Sequence, residues 1–128
     1  MFEVAARLKV RDGQLDGFKR QAAEIMRLTR GNDTKTLRYD WFLSEDGTEC
    51  QVREAYVDAA SLIEHQQHIA EAKAELFRDF ADGHHMSFYG EPSPALAAVV
   101  EKLGVEFTQF SLFQSLEAEI EALDQVPA

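Results

Sequence analysis

The sequence predicts a single α+β domain with a ferredoxin-like fold, in which an antiparallel sheet carries helices on one face. Three observations lead to this class. Segments that alternate apolar and polar residues are interleaved with segments of helical period, the first six elements follow the order βαββαβ, and one more helix and strand follow them. With 128 residues, 45% of them hydrophobic, the chain has the length and composition of one globular domain.

The first half of the chain predicts a strand, a helix and a hairpin. Residues 2–10 alternate as in a half-buried strand, and a helical stripe then begins at Leu15 and ends at Gly31-Asn32. The β-rich segments 35–43 and 49–57 flank Asp46-Gly47, which is typical of a two-residue hairpin loop. Counting from that loop predicts four cross-strand pairs on one inward face: Leu43 with Cys50, Trp41 with Val52, Tyr39 with Glu54, and Leu37 with Tyr56.

The second helix is expected to begin after Asp58, an N-cap residue, and to extend to about residue 80. Successive positions at 100° place Leu62 within its apolar stripe, His65 at the edge of that stripe and His68 further round, towards solvent or a rim. The ADG segment at 81–83 is expected to end this helix.

The remaining segments predict a strand, a short helix and another strand. Residues 84–90 are interpreted as a fourth strand, 94–104 as a short helix ending at Gly104, and 105–116 as a fifth strand with apolar residues on both faces. The acidic residues 117–128 are expected to be helical or frayed. Because a two-sided apolar strand is poorly explained by a monomer, the extension 91–128 is expected to lie at a homodimer interface.

Charge and cysteine content exclude several classes of function. The formal net charge is −10, and residues 54–128 alone sum to −11, so no basic stripe is available for nucleic acid. One cysteine, Cys50, cannot form an internal disulfide and fits a reducing, cytoplasmic location. No apolar run reaches the ~18 residues that predict a membrane span. Adjacent His84 and His85 point to opposite faces of a strand, so no metal site is expected.

The stretch Glu54-x-Tyr56-x-Asp58, with Ser61 and His65 after it, resembles the E-x-(W/Y)-x-D-x-x-A-x-x-x-H signature of the antibiotic biosynthesis monooxygenases. The resemblance covers about residues 2–90 and implies a dimeric α+β barrel. It also implies a cavity between sheet and helices where quinols or small aromatic compounds react with O₂, with no metal, flavin or other cofactor. Ser61 stands where alanine is usual and Tyr56 where tryptophan is frequent.

These residues form the predicted site. His65 is the candidate base or hydrogen-bond partner, because imidazole titrates near neutral pH. Glu54 is expected to orient His65 or a ligand, with Tyr39 as its hydrogen-bond donor; a purely structural buried carboxylate is an equal alternative. The expected substrate-binding wall consists of Leu37, Trp41, Val52, Tyr56 and Leu62, for which plain core packing is the other interpretation.

The leading functional prediction is therefore a cofactor-independent monooxygenase that binds a small aromatic or quinol-like substrate. A non-catalytic ligand-binding or stress-associated protein with the same fold is the alternative, and a haem-degrading relative is a third.

Overall fold

The computed structural model describes residues 1–91 and 93–116. Within these ranges five strands and three helices follow one another in the order β1 (Phe2–Val10), α1 (Leu15–Asn32), β2 (Thr36–Leu43), β3 (Glu49–Tyr56), α2 (Ala59–Asp79), β4 (Ala81–Tyr89), α3 (Pro94–Leu103) and β5 (Glu106–Phe110). The strands form one sheet in the order β2-β3-β1-β4-β5, antiparallel except for the parallel β4–β5 pair. The first four strands have the predicted ferredoxin-like arrangement, and the α+β class is confirmed.

Alternation along the strands places the core between the sheet and the helices. On β1 the buried residues are Phe2, Val4, Ala6 and Leu8, while Arg7 on the opposite face is exposed. The covered face packs against Phe18 and Ile25 of α1 and against the apolar stripe of α2. Among the described residues no helix covers the opposite face of the sheet, which carries exposed residues such as Phe42.

The register of the β2–β3 hairpin is as predicted over most of its length. Leu43 pairs with Cys50, Trp41 with Val52, and Tyr39 with Glu54. The turn itself is longer than the predicted two residues, since Gly47 N donates to Ser44 O at 2.9 Å and Gly47 has φ +72°. A left-handed residue at this position favours glycine and closes a longer loop without changing the pairing.

The predicted pair between Leu37 and Tyr56 is wrong. A register shift between Thr36 and Arg38 pairs Thr36 with Tyr56, and the Leu37 side chain is 60% exposed. A β-bulge adds one residue to a strand and so breaks the alternation that inward-facing predictions rely on. Leu37 is therefore not part of an interior wall.

Two boundaries of the second half also differ from the prediction. The segment ADG begins β4 instead of ending α2, because β1 extends its ladder as far as a Val10–Ala81 pair. β5 ends at Phe110, and residues 111–115 have no regular structure, so the predicted strand to residue 116 is too long. The short helix does end at Gly104, with φ +67°, as expected. The prediction for residues 117–128 lies outside the described residues.

Candidate active site

Glu54 and Tyr56 occupy alternate positions of β3 and both face the helices. Glu54 is 5% exposed, and Tyr56 is fully buried. The Tyr56 hydroxyl donates to Glu54 Oε1 at 2.5 Å, so the donor is Tyr56 and not the expected Tyr39. Burial raises the pKa of Glu54 to about 7, against the opposing effects of this hydrogen bond and of the Lys73 charge. The carboxyl group therefore titrates near neutral pH.

A second polar cluster joins the end of α1 to α2 through Asp33. Its carboxylate, 4% exposed, accepts at 2.7 Å from His65 Nδ1, His68 Nδ1 and the Thr36 hydroxyl. Burial acts to raise the pKa of Asp33, but the hydrogen bonds from Thr36 and the two imidazoles outweigh it and lower that pKa. The cluster thus holds a charged carboxylate where α1 ends.

Asp33 determines which nitrogen of His65 carries the proton. Burial lowers the pKa of His65, although the Asp33 charge opposes this effect, so the imidazole is neutral at neutral pH. Its Nδ1 faces the carboxylate and donates to it, which leaves Nε2 with a free lone pair. Nε2 is buried and has no hydrogen-bond partner among the described residues.

Aromatic rings connect the two clusters. The His65 ring lies edge-on to Tyr39, with 4.4 Å between ring centroids, and tilted against Tyr56 at 5.6 Å. Tyr39 in turn lies edge-on to Trp41 at 5.9 Å. Burial and the nearby Glu54 charge raise the pKa of Tyr39, so its phenol stays protonated. Side chains from β2, β3 and α2 therefore form one continuous aromatic and polar group.

A small cavity lies beside this group, between the sheet and the helices. It offers about 30 Å³ to the centres of water molecules, enough for roughly two waters. Of the predicted site residues, Tyr39, Trp41, Val52 and Glu54 line it. His65, Tyr56 and Leu62 are buried next to these residues but do not line the cavity. The structure thus brings together all the predicted site residues except Leu37.

Sequence reasoning missed Asp33, Lys73 and His84. Asp33 follows the helix stop at Gly31-Asn32 directly, and an acidic residue there could have been considered as a partner for a histidine. Lys73 lies four residues after Ile69 on α2 and reaches the cavity, and so does His84 of β4. The sequence feature that could have identified Lys73 is its position beside the apolar stripe of α2. His84 and His85 do point to opposite faces, since His84 stacks on Phe77 and His85 bonds Thr108.

Across residues 1–91 and 93–116, no group of three or more His, Cys, Asp and Glu side chains is placed to hold a metal ion. Within the same ranges no helix combines the length and apolar character of a membrane span.

The chain combines a ferredoxin-like sheet with helices on one face, and a polar group lies beside a cavity between them. These features define a class of small α+β domains. Within that class, the chain belongs to the antibiotic biosynthesis monooxygenase family, whose model matches residues 1–85. The match includes the whole polar group and ends within β4, so α3 and β5 lie beyond it. No curated protein matches the sequence significantly.

Solved structures share the fold at low sequence identity. MupZ from Pseudomonas fluorescens is 22% identical with a TM-score of 0.71, and the match covers 91% of this chain and 95% of MupZ. Rv0793 from Mycobacterium tuberculosis is 21% identical with a TM-score of 0.61, covering 73% and 97% of the two chains. An antibiotic biosynthesis monooxygenase is 18% identical with a TM-score of 0.63, covering 73% and 100%. At these identities the likeness concerns the fold.

Proposed function

We propose that the protein is a cofactor-independent monooxygenase that oxidises a small phenol or quinol with O₂. Family membership supports a monooxygenase-like function. The observation that carries the proposal is the Glu54 carboxyl group, which lines an aromatic cavity and has a pKa of about 7. A base with a pKa near the working pH combines a useful ionised fraction with sufficient proton affinity.

The chemistry requires a proton acceptor in a largely dry pocket. Glu54 accepts the phenolic proton, and the substrate anion formed is electron-rich enough to react with O₂. One O₂ converts a phenol with a free para position to a quinone, with one oxygen atom on the ring and the other released as water, which balances without an outside reductant. Tyr56 holds the Glu54 carboxylate through its hydrogen bond.

His65 and the aromatic residues complete the proposed site. With its proton on Nδ1 against Asp33, the free Nε2 of His65 is the second candidate base or hydrogen-bond acceptor. Tyr39, Trp41 and Val52 form the substrate wall. Because the cavity holds only about two waters, binding of an aromatic ring requires side chains around it to move.

Oxygen uptake with a panel of small phenols and quinols tests this function. Wild type is expected to consume O₂ with an activity that rises through an apparent pKa near 7, and Glu54→Gln to lose about 10²–10⁴-fold with no such pH step. Oxygen uptake by His65→Ala tests whether His65, the second candidate base, takes part in the reaction. Glu45→Gln, a matched change in the exposed hairpin turn, should behave as wild type. Uptake that Glu54→Gln leaves intact would remove this carboxylate from the mechanism.

The alternative is a non-catalytic protein that binds a ligand on the same fold, because the cavity beside Glu54 is small for an aromatic substrate. Without side-chain movement, about 30 Å³ does not admit an aromatic ring. Native mass spectrometry of the purified protein separates the two functions. A carried ligand released unchanged in air supports binding alone, and a ligand that is converted supports catalysis.

We also propose that the protein is a homodimer. Large apolar side chains are exposed after β5, where Phe113 is 96%, Leu112 74% and Leu116 72% exposed. Phe42 and Phe110 on the uncovered sheet face are about half exposed. Apolar surface of this extent is typical of an interface between protein chains.

A further inference from the structure

A groove lies between α2, α3 and the segment that follows α3. It offers about 440 Å³ to the centres of water molecules and is open to solvent. That volume lies within the ~300–1,000 Å³ usual for small-molecule sites. One wall is α3, which begins after the family match ends at residue 85. The extension of this chain therefore supplies one wall of the groove, opposite α2.

Helix α2 carries a second apolar stripe towards this groove, beside the stripe that packs in the core. Ile63, Ala70, Ala74 and Phe77 recur at spacings of three, four and seven residues, which places them on one side of the helix. Val99 and Leu103 of α3 face them across the groove. The opposed walls suit an apolar ligand body.

Lys73 brings a positive charge to the groove, and its Nζ donates to Gln66 Oε1 at 2.8 Å. Within the described residues it forms no direct ion pair, although the charge of Glu54 in the adjoining cavity acts on it. None of the described residues that line the groove is acidic. A half-buried ammonium without a directly bonded counter-ion is costly, and an anionic group in contact with it would offset part of that cost.

The groove and the interior cavity share part of their walls. Gln66, Lys73, Phe77 and His84 line both, and the Phe77 and His84 rings stack at 4.6 Å. These shared side chains therefore separate the groove from the cavity that Glu54 lines. A molecule in the groove that contacts Lys73 lies next to the candidate active site.

We propose that this groove binds a small carboxylic acid with an apolar body, whose carboxylate pairs with Lys73 and whose body packs between α2 and α3. The Lys73 ammonium, which has no direct ion-pair partner among the described residues, and the apolar walls together favour this chemistry over a neutral ligand. The proposal concerns binding, and it stands or falls independently of the oxygenation proposed above.

Calorimetric titration with 2-naphthoate and with its neutral analogue 2-naphthalenemethanol tests the proposal. Wild type should bind the acid at least about tenfold more tightly than the alcohol. Lys73→Met, which keeps the apolar stem, should lose this preference and still bind the alcohol. Lys19→Met, an exposed lysine on α1, is the matched control and should keep the preference. Ala74→Trp, at an exposed position in the groove, should block both probes.

Four results would overturn the proposal. They are equal binding of acid and alcohol to wild type, failure of wild type to bind either, an acid preference that survives Lys73→Met, and binding that Ala74→Trp does not affect. If Ala74→Trp instead changes the oligomeric state measured by light scattering, the groove is a contact between copies of the chain. Because Ala74→Trp leaves Lys73 intact, the test remains decisive even if Lys73→Met folds poorly.

Discussion

Single residues of the site owe their chemistry to burial. Glu54 would be an ordinary acid in water, but in the interior its charged form is costly and its pKa rises to about 7. Cys50, buried in the same sheet, has its pKa raised to about 11 by burial and stays a neutral thiol. His65 is held neutral by burial and oriented by Asp33. Desolvation thus makes Glu54 suited to proton transfer and keeps Cys50 inert.

The raised pKa of Glu54 has a consequence for stability. Because the folded pKa of about 7 exceeds the ordinary value of 4.5, the folded state binds the proton more tightly than the unfolded state. The contribution of Glu54 to stability is therefore lost as pH rises from about 4.5 through about 7. Glu54→Gln should gain roughly 2–3 kcal/mol relative to wild type between about pH 5 and about pH 8.

Urea unfolding of both proteins at the two pH values measures this difference. Glu45→Gln, which changes an exposed carboxylate in the hairpin turn, provides the control and should follow wild type. A Glu54→Gln stability difference that does not vary with pH would show that the carboxyl group has an ordinary pKa.

The orientation of His65 by Asp33 gives another prediction at this scale. In nitrogen-detected NMR at neutral pH, His65 should carry its proton on Nδ1 in wild type, because Nδ1 donates to the carboxylate. Asp33→Asn should weaken this preference and cost about 1–3 kcal/mol of stability, since buried imidazole donors lose a charged acceptor. Asp46→Asn, in the exposed hairpin turn, should leave the His65 resonances unchanged. A proton on Nε2 in wild type would contradict the assignment.

At the scale of elements, the approach of α1 to the end of α2 depends on a glycine. A Cβ added at Gly17 would overlap the ring of Phe80, whereas a Cβ at Gly31 on the same helix meets nothing. Neither residue has a positive φ. Alanine substitutions at these two glycines therefore distinguish the effect of close packing on stability from the effect of helix propensity.

Gly17→Ala should destabilise the protein by about 1–3 kcal/mol, because the overlap forces a shift of the Phe80 ring that outweighs the gain in helix propensity. Gly31→Ala is the matched control and should be neutral or stabilising by up to about 1 kcal/mol. Thermal unfolding of both variants checks the prediction. Equal effects of the two substitutions would mean that α1 and Phe80 are not in close contact.

At the scale of the molecule, the exposed apolar residues after β5 determine the expected assembly. If Phe113 packs against a partner chain, its replacement by Asp removes a buried aromatic worth about 1.5–3 kcal/mol and should weaken the dimer at least tenfold. Sedimentation over a range of concentrations measures the effect. Glu106→Gln, an exposed change on β5, is the control. A wild type that is monomeric at all concentrations would contradict the homodimer.

Local patterns in the sequence determined much of the fold and part of the site. Alternation identified the covered face of the sheet, and the Asp46-Gly47 turn set the register that puts Tyr39 opposite Glu54. Helical phase placed His65 towards the core and His68 at the rim, and Asp58 caps α2 through Ser61 as expected. These features depend on neighbours within a few residues or on one turn, so a local period is sufficient to predict them.

Only the tertiary structure decided what these residues contact. Asp33 reaches His65 across 32 positions of the chain, and Lys73 meets the cavity that Glu54 lines, because α2 crosses the sheet at one particular place. The bulge that turns Leu37 outward and the size of the cavity also follow from packing. Such contacts join residues from separate elements, and their geometry depends on how the helices pack on the sheet. No periodic pattern in the sequence encodes that packing.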